Sequence, residues 1–311
     1  MIKSMIDIKS LMRENIRNLK AYTTARNEFT GNADVFLDAN ENPYGNLNRY
    51  PDPQQVEIKK ILADLKGMKV EQMFVGNGSD EVIDIAYRIF CEPGKDKAIT
   101  FTPSYGMYQV SADINGVELI EVPMDRSFVP DPKKAMEYID ESVKLMLLCS
   151  PNNPTGNSIQ KETIVELLES FNGIVVVDEA YIEFAPDGTA VQVAIEDPRV
   201  IRMRTFSKGY GLAGARVGYA LAAQDLIGQF EKIRNHFGMN RAAQSAAEAA
   251  LNDQAWLHCV RDKVEASKQE IARIADENGL STVESATNFM AIDCGRDGVF
   301  AQAVLAQLVQ A

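Results

Sequence analysis

A lysine and a carboxylate each stand directly after a short apolar segment of this chain. Lys208 lies in TFSKG, after the segment Val200–Met203, and Asp178 ends GIVVVD. A lysine in such a place can lose part of its hydration, which favours the neutral amine that attacks carbonyl carbons. A carboxylate there needs a partner, or its pKa rises. Taken singly, Lys208 is also typical of a solvated loop and Asp178 of a helix cap or a structural salt bridge.

The elements that position these side chains form an alternation of helices and short buried strands. Helical patterns cover Gln55–Leu65, Glu81–Phe90 and Lys161–Phe171. The apolar segments that read as strands are Ala98–Phe101, Leu145–Cys149, Ile174–Val177, Val200–Met203 and Val217–Leu221. Strand, helix and strand in this order predict βαβ units, and therefore an α/β fold with a mostly parallel central sheet flanked by helices.

Ligands of open α/β sheets bind outside the carboxyl ends of the strands. The residues that follow four of the predicted strands are TPSYGMY, SPNNPTG, DEAY and RTFSKGYGLAGAR. They place Tyr105, Asn153, Tyr181 and Arg216 at the same edge as the lysine and the carboxylate. Each also has an ordinary explanation, as a core tyrosine, a turn-forming asparagine or a surface arginine. Their joint position at adjoining strand ends favours a common site.

Two glycine-containing segments bear on phosphate binding. GNGSDE, residues 76–81, precedes a helix with Ser79 or Asp80 as the expected N-cap, and its free amides suit a phosphate as well as an ordinary cap. GYGLAG, residues 209–214, matches the dinucleotide pattern GxGxxG. The next strand, RVGYAL, begins too soon to leave room for the helix that this pattern should open. A nicotinamide-dependent oxidoreductase is therefore not supported.

A smaller second domain is expected from the two ends of the chain, because 311 residues suggest about two domains. The large domain is predicted over residues 43–261, and the small domain over 1–42 and 262–311. The elements expected in or near the small domain are a helical segment Ile6–Leu19, an extended segment Val35–Asp38, helices Ala242–Leu251, Leu257–Glu277 and Val299–Val309, and a strand Phe289–Ile292.

Composition excludes several classes of protein. The chain has 32 Lys and Arg against 44 Asp and Glu, a net charge of −12, which argues against a nucleic-acid partner. No apolar run approaches the roughly 18 residues that span a bilayer, and the first residues do not resemble a secretion signal. Four scattered cysteines and two histidines predict neither a disulfide scaffold nor a metal site. A cytoplasmic location without membrane contact is expected.

The ordered motifs SPNNPTG, VVVDEAY and TFSKGYGLAGARVGY resemble those of fold-type I pyridoxal-phosphate (PLP) aminotransferases. RENIRNLKAYTTAR, LDANENPYG, LNRYPDP, GNGSDE and PSYGMY narrow the resemblance to the histidinol-phosphate aminotransferase family. It covers the chain from about residue 13 onward. The resemblance implies the fold-type I architecture, PLP as cofactor and a homodimer with shared active sites.

The resemblance also implies roles for individual residues. Lys208, Asp178 and Tyr181 are the implied catalytic residues: Lys208 holds PLP and moves the substrate's Cα proton, and Asp178 pairs with the ring nitrogen. Asp80 is expected to act through its backbone amide, because its carboxylate would repel phosphate. The implied cofactor-binding residues are Ser79, Asp80, Tyr105, Asn153, Asp178, Tyr181, Ser207, Lys208 and Arg216, with Tyr50 supplied by the partner subunit. The implied substrate contacts are Tyr22, Asn40 and Glu41.

The implied reaction is transamination between L-histidinol phosphate and imidazole acetol phosphate, with glutamate and 2-oxoglutarate as the amino partner. Two other PLP activities stay open: an aromatic amino-acid aminotransferase and a decarboxylase of a phosphorylated amino acid. The family continues beyond the position of Ala311 with a segment that carries substrate-gripping arginines. The expectation for this chain is therefore PLP binding with weak or absent turnover, and a PLP-binding protein without catalysis is the alternative from another class.

Overall fold

A seven-stranded sheet lies at the centre of the computed structural model, which describes residues 7–23, 38–185, 197–295 and 298–310. Its strands follow one another in space as β1-β7-β6-β5-β4-β2-β3. They are β1 (Met73–Gly76), β2 (Lys97–Thr102), β3 (Glu118–Pro123), β4 (Val143–Cys149), β5 (Ile174–Asp178), β6 (Val200–Thr205) and β7 (Gly218–Leu221). Strand β7 is antiparallel to both of its neighbours, and the remaining pairs are parallel. The predicted fold class is confirmed.

The described residues form ten helices, and several of them cover the two faces of the sheet. They are α1 (Glu14–Arg17), α2 (Val56–Lys66), α3 (Ser79–Phe90), α4 (Met107–Ile114), α5 (Pro132–Met136), α6 (Lys161–Ser170), α7 (Gln224–Ile233), α8 (Arg241–Asn252), α9 (Gln254–Glu277) and α10 (Gly298–Gln310). Helices α3, α4 and α7 pack with side chains of one face. Helices α5 and α6 cover part of the other face, and α2 and α8 cover the rest of it. Successive strand residues point to opposite faces, so the apolar residues of β4 and β5 pack alternately against helices on the two sides.

The strands predicted from apolar segments are all present, with ends that differ by one or two residues. Strands β1 and β3 were not predicted. Strand β3 lies at the sheet edge and is mostly half-exposed or exposed, so it lacks the continuous apolar run of a central strand.

Outside the sheet, two expected elements differ from the structure and a third lies outside the described residues. The expected helical segment over residues 6–19 contains two short turns, Ile8–Leu11 and Glu14–Arg17. The expected strand Phe289–Ile292 is reduced and shifted to a two-residue strand β9 (Ile292–Asp293), which pairs with β8 (Ser281–Thr282). Residues 35–37 of the expected extended segment lie outside the described residues. Within the described ranges, no helix has the length and apolarity needed to cross a membrane.

Candidate active site

A cavity of about 160 Å³ lies at the carboxyl edge of the sheet. Nine of its lining residues are the cofactor residues predicted within one chain: Ser79, Asp80, Tyr105, Asn153, Asp178, Tyr181, Ser207, Lys208 and Arg216. A larger groove of about 490 Å³ lies beside α9, and none of the predicted site residues lines it. The fold therefore places the predicted cofactor residues around one cavity, as expected from their positions after the strands. The larger groove belongs to another part of the surface.

Asp178 is the buried acid of this cavity. It ends β5, and its side chain accepts hydrogen bonds from the Tyr108 hydroxyl at 2.9 Å and from the Ala180 backbone N–H at 3.0 Å. Burial raises the pKa of the Asp178 carboxyl to about 7, although the bond from Tyr108 acts in the opposite direction. The carboxylate is therefore short of positive charge, and a cation placed beside it would be bound strongly.

Lys208 stands in the loop between β6 and β7. The start of this loop is held by the Phe206 N–H, which donates to the Val217 carbonyl at 3.0 Å, and by the Ser207 N–H, which donates to the Thr205 hydroxyl at 3.1 Å. The Lys208 Nζ lies 5.5 Å from the centroid of the Tyr181 ring. The lysine side chain lines the cavity and is exposed in the chain without cofactor.

The beginning of α3 forms an open anion-binding end. The expected N-cap, Ser79 or Asp80, is wrong: Gly78 is the cap, with φ +82°, and no side chain caps the helix. A glycine is needed here because φ is positive and because a Cβ would lie 2.7 Å from the Arg216 guanidinium. Ser79 and Asp80 at the start of α3 line the cavity, Gly78 provides no side chain to cap the helix, and the Arg216 guanidinium lies beside Asp80.

Asp80 contacts this arginine with its side chain. One carboxylate oxygen lies 3.2 Å from Arg216 Nη2, and the other accepts a hydrogen bond from the Tyr105 hydroxyl at 3.2 Å. From the sequence, Asp80 was expected to contact phosphate only through its backbone amide. In the structure its carboxylate also orients the arginine and the tyrosine that line the cavity.

The two adjacent asparagines of SPNNPTG have different surroundings. Asn152 is buried and holds the loop: its amide donates to the Pro103 carbonyl at 3.0 Å and to the Thr155 hydroxyl at 2.7 Å, and its carbonyl accepts from Ser104 at 3.0 Å. Asn153 lines the cavity instead. The pair therefore divides into a loop-fixing residue and a residue available to a ligand.

The residues predicted to contact substrate, and Tyr50, lie outside the lining of this cavity. Tyr22 packs edge-on against His236, with ring centroids 4.9 Å apart. Tyr50 stacks on Phe237 at 4.3 Å and is half-exposed. The Glu41 carboxylate accepts from Arg49 and from the Tyr50 backbone N–H, both at 2.7 Å.

Asn40 is exposed, with φ +43°. Within one chain, none of the predicted substrate residues is brought to the cavity around Lys208, and their roles stay predictions.

Sequence reasoning missed two residues beside Asp178. Tyr108 is buried and donates to the Asp178 carboxylate, and Cys149 lines the cavity with a thiol whose pKa is raised by burial. Tyr108 lies in PSYGMY, three residues after Tyr105 and in the first turn of α4 (Met107–Ile114). No local sequence pattern indicates its contact with Asp178, because the contact depends on how α4 packs against β5.

Comparison with known proteins agrees with this site. Residues 22–310 match the family described as aminotransferase class I and II. Histidinol-phosphate aminotransferase from Parabacteroides distasonis is 42% identical over 295 residues, covering 94% of this chain and 86% of the relative. The enzyme of the same name from Flavobacterium johnsoniae is 46% identical over 275 residues, covering 87% and 76%.

The crystal structure of histidinol-phosphate aminotransferase from Sinorhizobium meliloti in complex with pyridoxal-5'-phosphate superposes with a TM-score of 0.78. It is 36% identical, with 84% of this chain and 72% of that chain covered. The sheet order, the residues gathered at its carboxyl edge and the extent of these matches lead to one conclusion: the chain belongs to the aminotransferase class I and II family.

Proposed function

We propose that this chain is a PLP-dependent aminotransferase that interconverts L-histidinol phosphate and imidazole acetol phosphate, with glutamate and 2-oxoglutarate as the amino partner. The observation that carries the proposal is that Lys208 and Asp178 line one cavity, which also holds an uncapped helix N-terminus and an arginine. The names of the relatives, which are 41–46% identical, support the substrate.

The residues present fit PLP by their chemistry. A protonated pyridine nitrogen is the cation that the buried Asp178 carboxylate lacks, and pairing with it would favour the ionised acid. A phosphate suits the first amides of α3, the Ser207 hydroxyl and the Arg216 guanidinium, whose fork matches phosphate oxygens. When bound, PLP supplies an electron sink for the pair of electrons left as the substrate Cα–H bond breaks.

Each side chain around the cavity would then have its own role in binding the cofactor or moving a proton. Lys208 would hold the cofactor through its Nζ and, once the substrate amine has taken its place, would move the proton from the substrate Cα to the cofactor carbon that carried the aldehyde. Asp178 holds the ring nitrogen protonated. Asn153 and Tyr181 would hydrogen-bond the phenolic oxygen, and Tyr105, whose hydroxyl donates to Asp80, would cover a ring face.

We also propose a homodimer with shared sites. Tyr50 is half-exposed, and Tyr44 and Leu47 in the same segment are 83% and 84% exposed. Large apolar side chains exposed together are typical of an interaction surface. A second copy that covers this segment would bring Tyr50 towards the phosphate end of the neighbouring cavity.

The proposed division into a large domain, residues 43–261, and a small domain, residues 1–42 and 262–311, places one boundary within the continuous helix α9 (Gln254–Glu277). Such a helix would join the two domains rigidly. The proposed location is the cytoplasm, which fits four scattered cysteines that form no disulfide among the described residues.

The experiment that tests this function is a spectral titration of the purified chain with PLP, followed by L-histidinol phosphate. The wild type is expected to show a bound-cofactor absorbance that converts to the pyridoxamine form in a single half-reaction, which does not require sustained turnover. Lys208→Ala should lose the covalent cofactor, which borohydride reduction and mass spectrometry detect. Lys60→Ala is the matched control, because Lys60 is exposed and pairs only with Glu57 in the described structure. Covalent PLP in Lys208→Ala would refute the assignment. Conversion by phenylalanine or threonine phosphate, without conversion by histidinol phosphate, would refute the substrate.

A further inference from the structure

The Asp178 carboxylate is held by one donor from its own strand end and by one from a different element. The Ala180 N–H donates to Oδ1 at 3.0 Å, and the Tyr108 hydroxyl donates to Oδ2 at 2.9 Å. Tyr108 belongs to α4, whereas Asp178 ends β5, so the second bond joins a helix to the sheet across 70 residues of sequence. Tyr108 and Asp178 are 1% and 2% exposed, which leaves water little access to this bond.

The Tyr108 phenol is fixed on more than one side. Its ring meets the Tyr105 ring edge-on, with centroids 5.7 Å apart. Its hydroxyl also lies within hydrogen-bonding reach of the Cys149 thiol, whereas the hydrogen bond from the buried Tyr87 hydroxyl at 3.2 Å reaches only the Tyr108 backbone carbonyl. A donor held in this way fixes the rotation of the carboxylate that it contacts, and rotation decides which lone pairs point into the cavity.

The groups around Asp178 give it little other support as an anion. Asp80 on α3 and Glu179, the next residue, are acids whose charges disfavour a further negative charge. Cys149 on β4, Tyr105 and Tyr181 are weak acids that also face it. The hydrogen bond from Tyr108 is the largest influence that lowers the pKa of Asp178, ahead of that from the Ala180 N–H.

We propose that Tyr108 is a positioning residue for the reaction: its hydroxyl keeps the Asp178 carboxylate ionised and turned towards the cavity, where a cationic ring nitrogen pairs with it. The identity of that ring rests on the proposed function. The hydrogen bond from Tyr108 to the Asp178 carboxylate does not depend on the proposed function, because both residues belong to this chain.

The first measurement uses the chain without cofactor and compares Tyr108→Phe with Tyr87→Phe. Each substitution removes one buried phenolic oxygen and keeps the ring, but only the first removes the donor to Asp178. The Asp178 carboxyl is followed through its C=O infrared band, assigned by difference against Asp178→Asn. A hydrogen bond to a charged group contributes enough to shift a pKa by about one to two units. Tyr108→Phe should therefore raise the midpoint above about 7 by that amount, and Tyr87→Phe should leave it in place.

The second measurement uses the PLP-loaded protein. Tyr108→Phe should weaken PLP binding about tenfold or more, lower kcat with little change in KM for the amine, and move the acidic limb of the pH profile upward. In the Asp178→Asn background, Tyr108→Phe should add no further loss of PLP affinity, because the acceptor is already altered.

Equal behaviour of Tyr108→Phe and Tyr87→Phe in the infrared titration would overturn the proposal. An additive loss of PLP affinity in the double variant would overturn it as well. Failure of the wild type to bind PLP would contradict the proposed function, and the cofactor-free titration would still decide the role of Tyr108.

Discussion

The fully buried carboxylate of Glu179 links strand β5, which ends at Asp178, to strand β6, which precedes the loop of Lys208. Its side chain accepts from Arg204 Nε at 2.7 Å and from Arg202 Nε at 3.2 Å, and its backbone N–H donates to the Met203 carbonyl at 2.8 Å. Replacing Glu179 by Gln preserves the volume and removes the charge that two buried guanidinium groups share. Removing one partner of a buried ion pair costs about 3–5 kcal/mol, because a charge is left uncompensated.

This cost can be measured by thermal unfolding of the chain. A chain of this size loses roughly 2 °C of Tm per kcal/mol, so Glu179→Gln should lower Tm by about 6–10 °C. Circular dichroism at one fixed scan rate is the assay, with urea unfolding as a second measure of the same difference.

The chain offers a matched control four residues further on. Glu183 is also buried, but neither of its carboxylate oxygens has a hydrogen-bond partner in the described part of the chain. Burial raises the pKa of this carboxyl, so its surroundings disfavour the charge. Glu183→Gln should therefore change the free energy of unfolding by less than about 1 kcal/mol, or stabilise the fold. Equal losses in the two variants, or an unchanged Tm in Glu179→Gln, would refute the reasoning.

Two further predictions concern the anion-binding end and the acid. Gly218→Ala should destabilise the chain by about 1–3 kcal/mol and weaken PLP binding, because its Cβ would lie 2.3 Å from the Ser79 backbone nitrogen. Gly214→Ala should be neutral, because no atom lies within 4 Å of its Cβ. Urea unfolding and PLP titration of both variants check this prediction. Without cofactor, the contribution of Asp178 to stability should fall as pH rises from 3.8 to about 7, since the unfolded Asp178 ionises there while the folded one keeps its proton. Asp178→Asn should flatten this part of the pH–stability curve, and an unaltered slope would contradict the assignment.

The sequence predicted the central strands because most residues of a strand buried on both faces are apolar. Strand β6 is also buried, but it carries Arg202 and Arg204, which pair with Glu179. The segment Ile174–Asp178 is fully buried and was readily identified, whereas the half-exposed edge strand Glu118–Pro123 was not. The same reasoning located the cofactor cavity, because parallel strands end at one edge and place the residues that follow them together. Lys208 and Asp178 needed no tertiary information beyond that rule.

Side-chain contacts between elements far apart in the sequence could not be predicted from strand patterns. The Tyr108–Asp178 bond joins a helix to a strand, and the Arg216–Asp80 pair spans 136 residues. Neither has a local pattern, because each depends on how a helix docks on the sheet. The N-cap of α3 was missed for a related reason: Ser79 and Asp80 are good cap residues, but the positive φ of Gly78 lets the helix begin one residue earlier than such a cap allows.

The direction of β7 explains how both ends of the cavity are built from one short connection. The chain leaves β6 at the carboxyl edge, passes through Lys208 and Arg216 and then returns along β7, antiparallel to β6. Strand β1 is antiparallel to β7 in turn, so its carboxyl end reaches the same edge, where α3 begins. Because Gly218 has no side chain, the start of α3 lies directly against β7 and beside the arginine. A parallel β7 would need a crossover to the opposite edge before it began. The lysine and the arginine could then not both stay beside the helix N-terminus within the twelve-residue connection of residues 206–217, so the reversal at β7 sets the geometry of the anion-binding end.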